Sequence, residues 1–420
     1  MPGDWRLDRP LLVACIVFLS VGLMQGSIGP ALHDIARQAG TTAVAASAMM
    51  TTLFVSALAA QTLAALTSRR LGHRTIMLAG MAAFIGGVAG IAASGSLAML
   101  LLAAAFLGAG NGSLLLTGNV VAAEASARAG PLNLVNAMFG VGAILAPVLV
   151  SLSMRQTGMG SHAVWAAPAA MGVALVLLLA SPAAPRGTGP AGARPPAAAA
   201  GAWRAVLRSP LVWLLGAFLL VEVSVEIAVA TWLPTILQKA VAIPLATGAL
   251  FLSLFWLLLT LSRFAAAWAS RFLTNPAILA AASLGAVAGA ALLLSGVILG
   301  GTAVTLAGVA LLGSALGPIF PSALSVLRAA FPRDAGFATG VVFGASNIAG
   351  AAMPVAFGAL VTGAGPKTGV AALLALTVVM GLVLVAVLGA ARRSDTALQA
   401  APRAGPAAGA VAEDAVSLRP

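Results

Sequence analysis

The chain has 420 residues, of which 61% are hydrophobic and 8% are charged. A soluble globular domain carries roughly 25% charged residues, so much of this chain's outer surface must face lipid, which excludes a soluble enzyme. The net charge of +12 does not argue for nucleic acid, because the basic residues sit singly or in small groups between apolar runs.

Apolar runs occur at 11–33, 43–67, 75–94, 96–122, 132–154, 163–181, 211–236, 245–270, 277–297, 300–328, 335–362 and 368–391. Each is long enough to cross a ~30 Å hydrocarbon layer as a helix. In lipid a segment must satisfy its own backbone, and a helix does so. The first run is longer than the apolar core of a cleavable signal peptide and leads into the second, so it reads as a span. Cys15, inside it, is the only cysteine, which excludes an intrachain disulfide and a multi-cysteine metal site. His33, His73 and His162 have no metal-ligand spacing.

Between the sixth and seventh runs, Pro182–Arg208 is rich in Pro, Gly and Ala and holds four arginines. It reads as a flexible linker. The residues after Arg392 have a similar composition and predict a disordered tail. The expected organisation is an N-terminal six-helix bundle over 1–181, a cytoplasmic linker over 182–208, a C-terminal six-helix bundle over 209–391 and a cytoplasmic tail over 392–420. With the N-terminus inside, eighteen Lys and Arg residues, Arg263 among them, fall on the cytoplasmic side, and Arg37, Arg155, Lys239 and Lys367 fall outside. This follows the positive-inside rule. It predicts a multi-pass protein of a bacterial inner membrane with both termini cytoplasmic.

The loop after run two reads Ala65-Leu66-Thr67-Ser68-Arg69-Arg70-Leu71-Gly72-His73-Arg74. Ser270-Arg271-Phe272-Leu273 echoes it after run eight, as internal repeats in secondary transporters do. Six plus six helices with this loop resemble the major facilitator superfamily, whose loop motif resembles G-x-x-x-D-R-x-G-R-R. Arg70, Gly72 and Arg74 match that pattern, while Ala65 and Arg69 stand where it has Gly and Asp. The resemblance marks Arg69, Arg70, Gly72 and Arg74, with Arg263 at the end of helix eight, as gating candidates. It implies two bundles around a central cavity and transport by alternating access.

Within that superfamily, Glu226–Trp232 in helix seven, Phe255-Trp256 leading to Arg263 in helix eight, Asn133 to Gly142 in helix five and Gly317-Pro318-Ile319-Phe320-Pro321 in helix ten resemble the fucose/glucose/galactose–proton symporter branch. Asn136 stands where many relatives have His, Leu115 near where the fucose permease has an acid, and Gln25 near where it has Asp. Sugar specificity therefore does not carry over, and proton coupling must rest on other residues.

Of ten acidic residues, Glu222 and Glu226 alone lie inside a predicted span. Four apart, they share a helix face, about 6 Å along the axis. A charged acid facing lipid is costly, so both should face a polar cavity. Two close carboxyls there do not readily ionise together, which suits a proton site, with Glu226 as the main residue. A structural pairing with Arg263 is the competing reading. Gln25, Asn119, Asn133, Asn136 and Asn347 are amides at or near the spans that either line a cavity or join helices. Trp232 is a candidate for stacking on a solute or, alternatively, for anchoring at the lipid interface.

No GxxxxGK[ST], HExxH or GxSxG pattern is present. The sequence predicts an all-α transporter with no cofactor and no metal. Its partners are a small-molecule substrate, protons and the lipid bilayer, with no nucleic acid, and it is expected to be a monomer. Proton-coupled uptake of a small polar solute, such as a sugar or sugar acid, is the leading expectation. Proton-antiport efflux of a hydrophobic compound and a non-transporting receptor or scaffold are the alternatives.

Overall fold

A computed structural model describes residues 8–125, 130–180, 202–332 and 334–400. Among them there is no strand, and twelve helical stretches are long and apolar enough to cross a membrane. The first six are α1 (Arg9–Gln38), α2 (Ala43–Leu71), α3 (His73–Ala92), α4 (Leu97–Ala125), α5 (Gly130–Thr157) and a 3-10 turn, Gly160–Trp165, running into α6 (Ala166–Leu179). A short α7 (Ala202–Arg208) precedes α8 (Pro210–Val241), α9 (Leu245–Ala269) and α10 (Asn275–Leu299). The tenth span is α11 (Thr302–Leu316) followed by α12 (Ile319–Ala330), and α13 (Ala335–Gly363) and α14 (Pro366–Ala400) complete the chain.

Three expectations change. The last seven residues of the predicted linker form α7. The final helix runs through Ala400, past the predicted start of a disordered tail at 392. The tenth span breaks at Gly317-Pro318, where Pro318 cannot donate a backbone hydrogen bond. Residues 182–201 of the linker and 401–420 of the tail lie outside the described residues.

Local chemistry sets several helix starts. Asp8 accepts from Leu11 N at 3.0 Å, and Thr42 and Thr274 cap α2 and α10 in the same way. Side chains as large as Leu66 and Leu284 are more than 70% exposed, the pattern of a lipid-facing surface.

The first six spans pack chiefly on one another, α1 on α5 and α6, and α4 on α2 and α3. The later spans do the same, α8 on α13 and α14, and α10 on α11 and α14. Contact between these halves runs through α5 on α9, α2 on α13 and α1 on α8. The end of the bundle where α6 stops and α7 begins is called the linker end. Odd-numbered spans run away from it and even-numbered spans run toward it. Hydrogen bonds from Thr51 to the Ala351 carbonyl, between His33 and Thr235, and from Ser253 to the Ile144 carbonyl cross between the halves. All three lie toward the end opposite the linker, and there the halves are closed on each other.

Candidate functional site: a carboxyl pair and an arginine at mid-depth

Glu222 stands twelve residues into α8 and Glu226 sixteen, about 18 and 24 Å from Pro210 at the helical rise. Glu226 is therefore at the midpoint of the span. Glu222 is fully buried, and among the described residues neither of its carboxyl oxygens has a hydrogen-bond partner. Glu226 is half-buried. An ion enclosed as Glu222 is, without partners, would forfeit several kcal/mol, on the order of the desolvation cost of a buried charge.

The packing of α1 on α8 places a second polar group beside Glu226. A Cβ at Gly29 would overlap the Ala230 carbonyl, and His33 meets Thr235 at 2.9 Å. The two helices run in the same direction, so the register continues one turn toward the linker end. There Gln25 of α1, half-buried, is level with Glu226.

Arg263 belongs to this site. It lies inside α9, six residues short of Ala269. Its Nε donates to the Gly317 carbonyl at 3.3 Å. A Cβ at Gly317 would overlap the Leu259 carbonyl and the Ser262 hydroxyl, so glycine lets the broken span approach α9 closely. Thirteen residues separate Gly317 from Ala330, so the guanidinium reaches up toward the depth of Glu222. It forms no salt bridge to either carboxyl. Among the described residues the ion pair present is Arg37–Asp34.

Antiparallel packing of α5 on α9 sets Asn136 level with Arg263. Ser253 meets the Ile144 carbonyl at 2.8 Å, and Gly140 faces Thr260, whose Oγ1 is 3.4 Å from where a Cβ would stand. One further turn brings Asn136 opposite Arg263, and both side chains are exposed. Asn347, half-buried, lies one turn from Ala351 toward the linker end, on the α13 face that meets α2. Asn119 is half-buried on α4, next to Gly118, which packs against the Phe18 ring. The Asn133 and Arg69 side chains lie outside the described residues.

Trp232 is placed differently from either expectation. It is fully buried, its indole N–H donates to the Pro354 carbonyl at 2.8 Å, and its ring packs against Gly358. It joins α8 to α13 and faces neither a lipid interface nor the carboxyl pair. In the basic loop, Arg70 is exposed, Gly72 ends α2 with φ +77°, and Arg74 donates to the Leu178 carbonyl at 2.9 Å, fastening α3 to the end of α6.

Two further residues hold the closed end. Asp34 is buried and accepts from Gly160 N at 2.5 Å and from Arg37 at 2.6 Å, bracing α1 against the sixth span. His33, beside it, makes the bond to Thr235 across the halves. Sequence reasoning set both aside because the first apolar run was ended at 33, whereas α1 continues to Gln38. Among the described residues no three His, Cys, Asp or Glu side chains converge as metal ligands would.

The sequence profile of the Major Facilitator Superfamily matches residues 14–317. The chain belongs to that superfamily. Its fold is similar to that of a point mutant of the nucleoside transporter NupG, with a TM-score of 0.75 at 15% identity, covering 90% of this chain and 100% of that one. It is also similar to a D-xylose-proton symporter, with a TM-score of 0.69 at 14% identity, covering 91% and 96%. A point mutant of the peptide transporter POT in complex with sulfate gives 0.71 at 16% identity, covering 91% and 94%. No curated protein sequence matches the chain.

Proposed function

We propose that the chain is a secondary active transporter that takes up a small polar solute together with protons, by alternating access in a bacterial inner membrane. Glu226, with Glu222 behind it, is the proton site. The observation that carries this reading is the carboxyl pair at the middle of α8, one member enclosed and the other half-exposed and level with Gln25. An acid at that depth is expensive to keep and is commonly part of an ion pathway. The similar folds named above carry nucleosides, a sugar with protons, and peptides, all polar solutes.

In the described conformation the halves touch at the end opposite the linker. If the linker is cytoplasmic, as the distribution of arginines argues, Glu226 communicates with the cytoplasm in this state. Rocking of the halves would then expose it to the other side. Gln25, Asn119, Asn136 and Asn347 supply hydrogen-bond donors and acceptors for the solute.

The test uses purified protein in liposomes loaded with a pH-sensitive dye, challenged with a panel of sugars and sugar acids. Solute-dependent proton entry is expected in the native protein. Glu226→Gln should abolish it while preserving exchange of solute for solute. Unchanged proton entry in Glu226→Gln would overturn the assignment, and solute-driven proton exit from the liposomes would indicate export instead.

A further inference from the structure

We propose that the transported solute is a small hydroxylated monocarboxylate, a sugar acid or similar compound, and that Arg263 is the residue that binds its carboxylate. This rests on the reading of Glu226 as the proton site and names the solute that site would accompany.

Arg263 is exposed at a depth where a free cation in lipid is costly. It contacts one backbone carbonyl, that of Gly317, and has no carboxylate within salt-bridge distance among the described residues. A guanidinium has five N–H donors, so one carbonyl leaves most of them available. Its planar fork suits the two oxygens of a carboxylate. Asn136 stands level with it on α5, and Gln25, level with Glu226, extends the polar surface toward mid-depth. The amides fit hydroxyl groups and Arg263 fits a carboxylate.

The same geometry couples the solute to the proton. When Glu226 is ionised, its charge and that of Arg263 cancel, and an incoming carboxylate meets a like charge. When Glu226 is protonated, the accessible site carries the single positive charge of Arg263 and attracts an anion. Besides the two glutamates, the charged and titratable groups on the neighbouring elements are Arg9, Cys15, His33, Asp34 and Arg37 of α1, Arg204 and Arg208 of α7, Arg263 of α9, Arg328 of α12, and Lys367, Arg392, Arg393 and Asp395 of α14, with Lys239 on α8 itself. Of these only Arg263 lies near the depth of the carboxyl pair.

Two matched pairs test the inference: D-gluconate with D-glucose, and D-galacturonate with D-galactose. Thermal stability of the purified protein is measured with each compound at acid and at alkaline pH. At least one acid should raise Tm at acid pH, while its neutral partner does not. Arg263→Gln should weaken that binding by at least about tenfold, and Arg263→Lys by less, because the charge remains but the fork is lost. Because Arg263 also holds Gly317, its variants lose a structural contact as well, so Glu226→Gln gives an independent arm. It imitates the protonated acid and should bind the sugar acid at alkaline pH as tightly as native protein does at acid pH.

Equal binding of the neutral partner, unchanged binding in Arg263→Gln, or no shift with either acid would overturn the inference. Proton entry driven by neutral sugars and dependent on Glu226 would leave the transport reading standing without the anion site. Binding of the acids with no proton movement would leave the anion site standing without the coupling.

Discussion

The imidazole Nε2 of His33 and the hydroxyl of Thr235 lie 2.9 Å apart, joining α1 to α8 across the interface between the halves. One hydrogen bond contributes about 0.5–1.5 kcal/mol net, which changes the ratio of two conformers by roughly two- to tenfold. Thr235→Val keeps the shape and removes the hydroxyl. The closed-end population should fall by about that factor. Distances between spin labels placed at Gly40 and Lys239 would report it, and an unchanged distribution would remove His33 from the latch.

Gly29 lets α1 approach α8 until backbone nearly meets backbone. A methyl group there would overlap the Ala230 carbonyl. Gly29→Ala should cost about 1–3 kcal/mol, as overpacking does, and open the closed end. Gly140 also lies between halves, but its nearest neighbour would be the Thr260 hydroxyl at 3.4 Å. Gly140→Ala should stay within about 0.5 kcal/mol of the native protein. Denaturation of the two variants in the same detergent gives the comparison.

Asp34 separates two kinds of contact on one carboxylate. Its partner Arg37 has a side chain 70% exposed, and ion pairs with that much water contribute about 0–1 kcal/mol. Its other partner, Gly160 N, is buried. Arg37→Ala should therefore change Tm little. Asp34→Ala should cost about 1–3 kcal/mol, because a buried N–H loses its acceptor. Equal losses in the two variants would show that the ion pair carries the stability.

Ala242 closes α8 at φ +54° and ψ +27°, a left-handed conformation that suits glycine. Ala242→Gly should raise stability by up to about 1 kcal/mol, since the strain relieved exceeds the chain entropy lost. A lower Tm would show that the Ala242 side chain is held by packing that outweighs the strain.

Hydropathy located the twelve spans because lipid imposes one rule on every segment: long, apolar and helical. It placed Glu222 and Glu226 in one of them for the same reason, as carboxyls are conspicuous in an apolar run. Which residues share a site was not legible. Arg263 read as an orientation signal at the end of a run, and only the fold shows its side chain reaching the break at Gly317. Trp232 could have met solute or lipid. Its actual partner, the Pro354 carbonyl, is 122 positions away and has no sequence mark. Asp34 and His33 were missed because α1 continues beyond its apolar stretch, held by contacts with Gly160 and Thr235 in other spans.

The charges near mid-depth, Glu222, Glu226 and Arg263, all sit in the second half of the chain, and the first half offers amides at comparable positions. The membrane voltage acts on moving charge, about 2.3 kcal/mol per elementary charge per 100 mV. With Glu222 neutral, an empty carrier holding ionised Glu226 and Arg263 moves no net charge as it resets. A carrier holding a proton on Glu226 and a monoanion on Arg263 moves none either. The full cycle would then be electrically silent, driven by the proton concentration difference and indifferent to voltage.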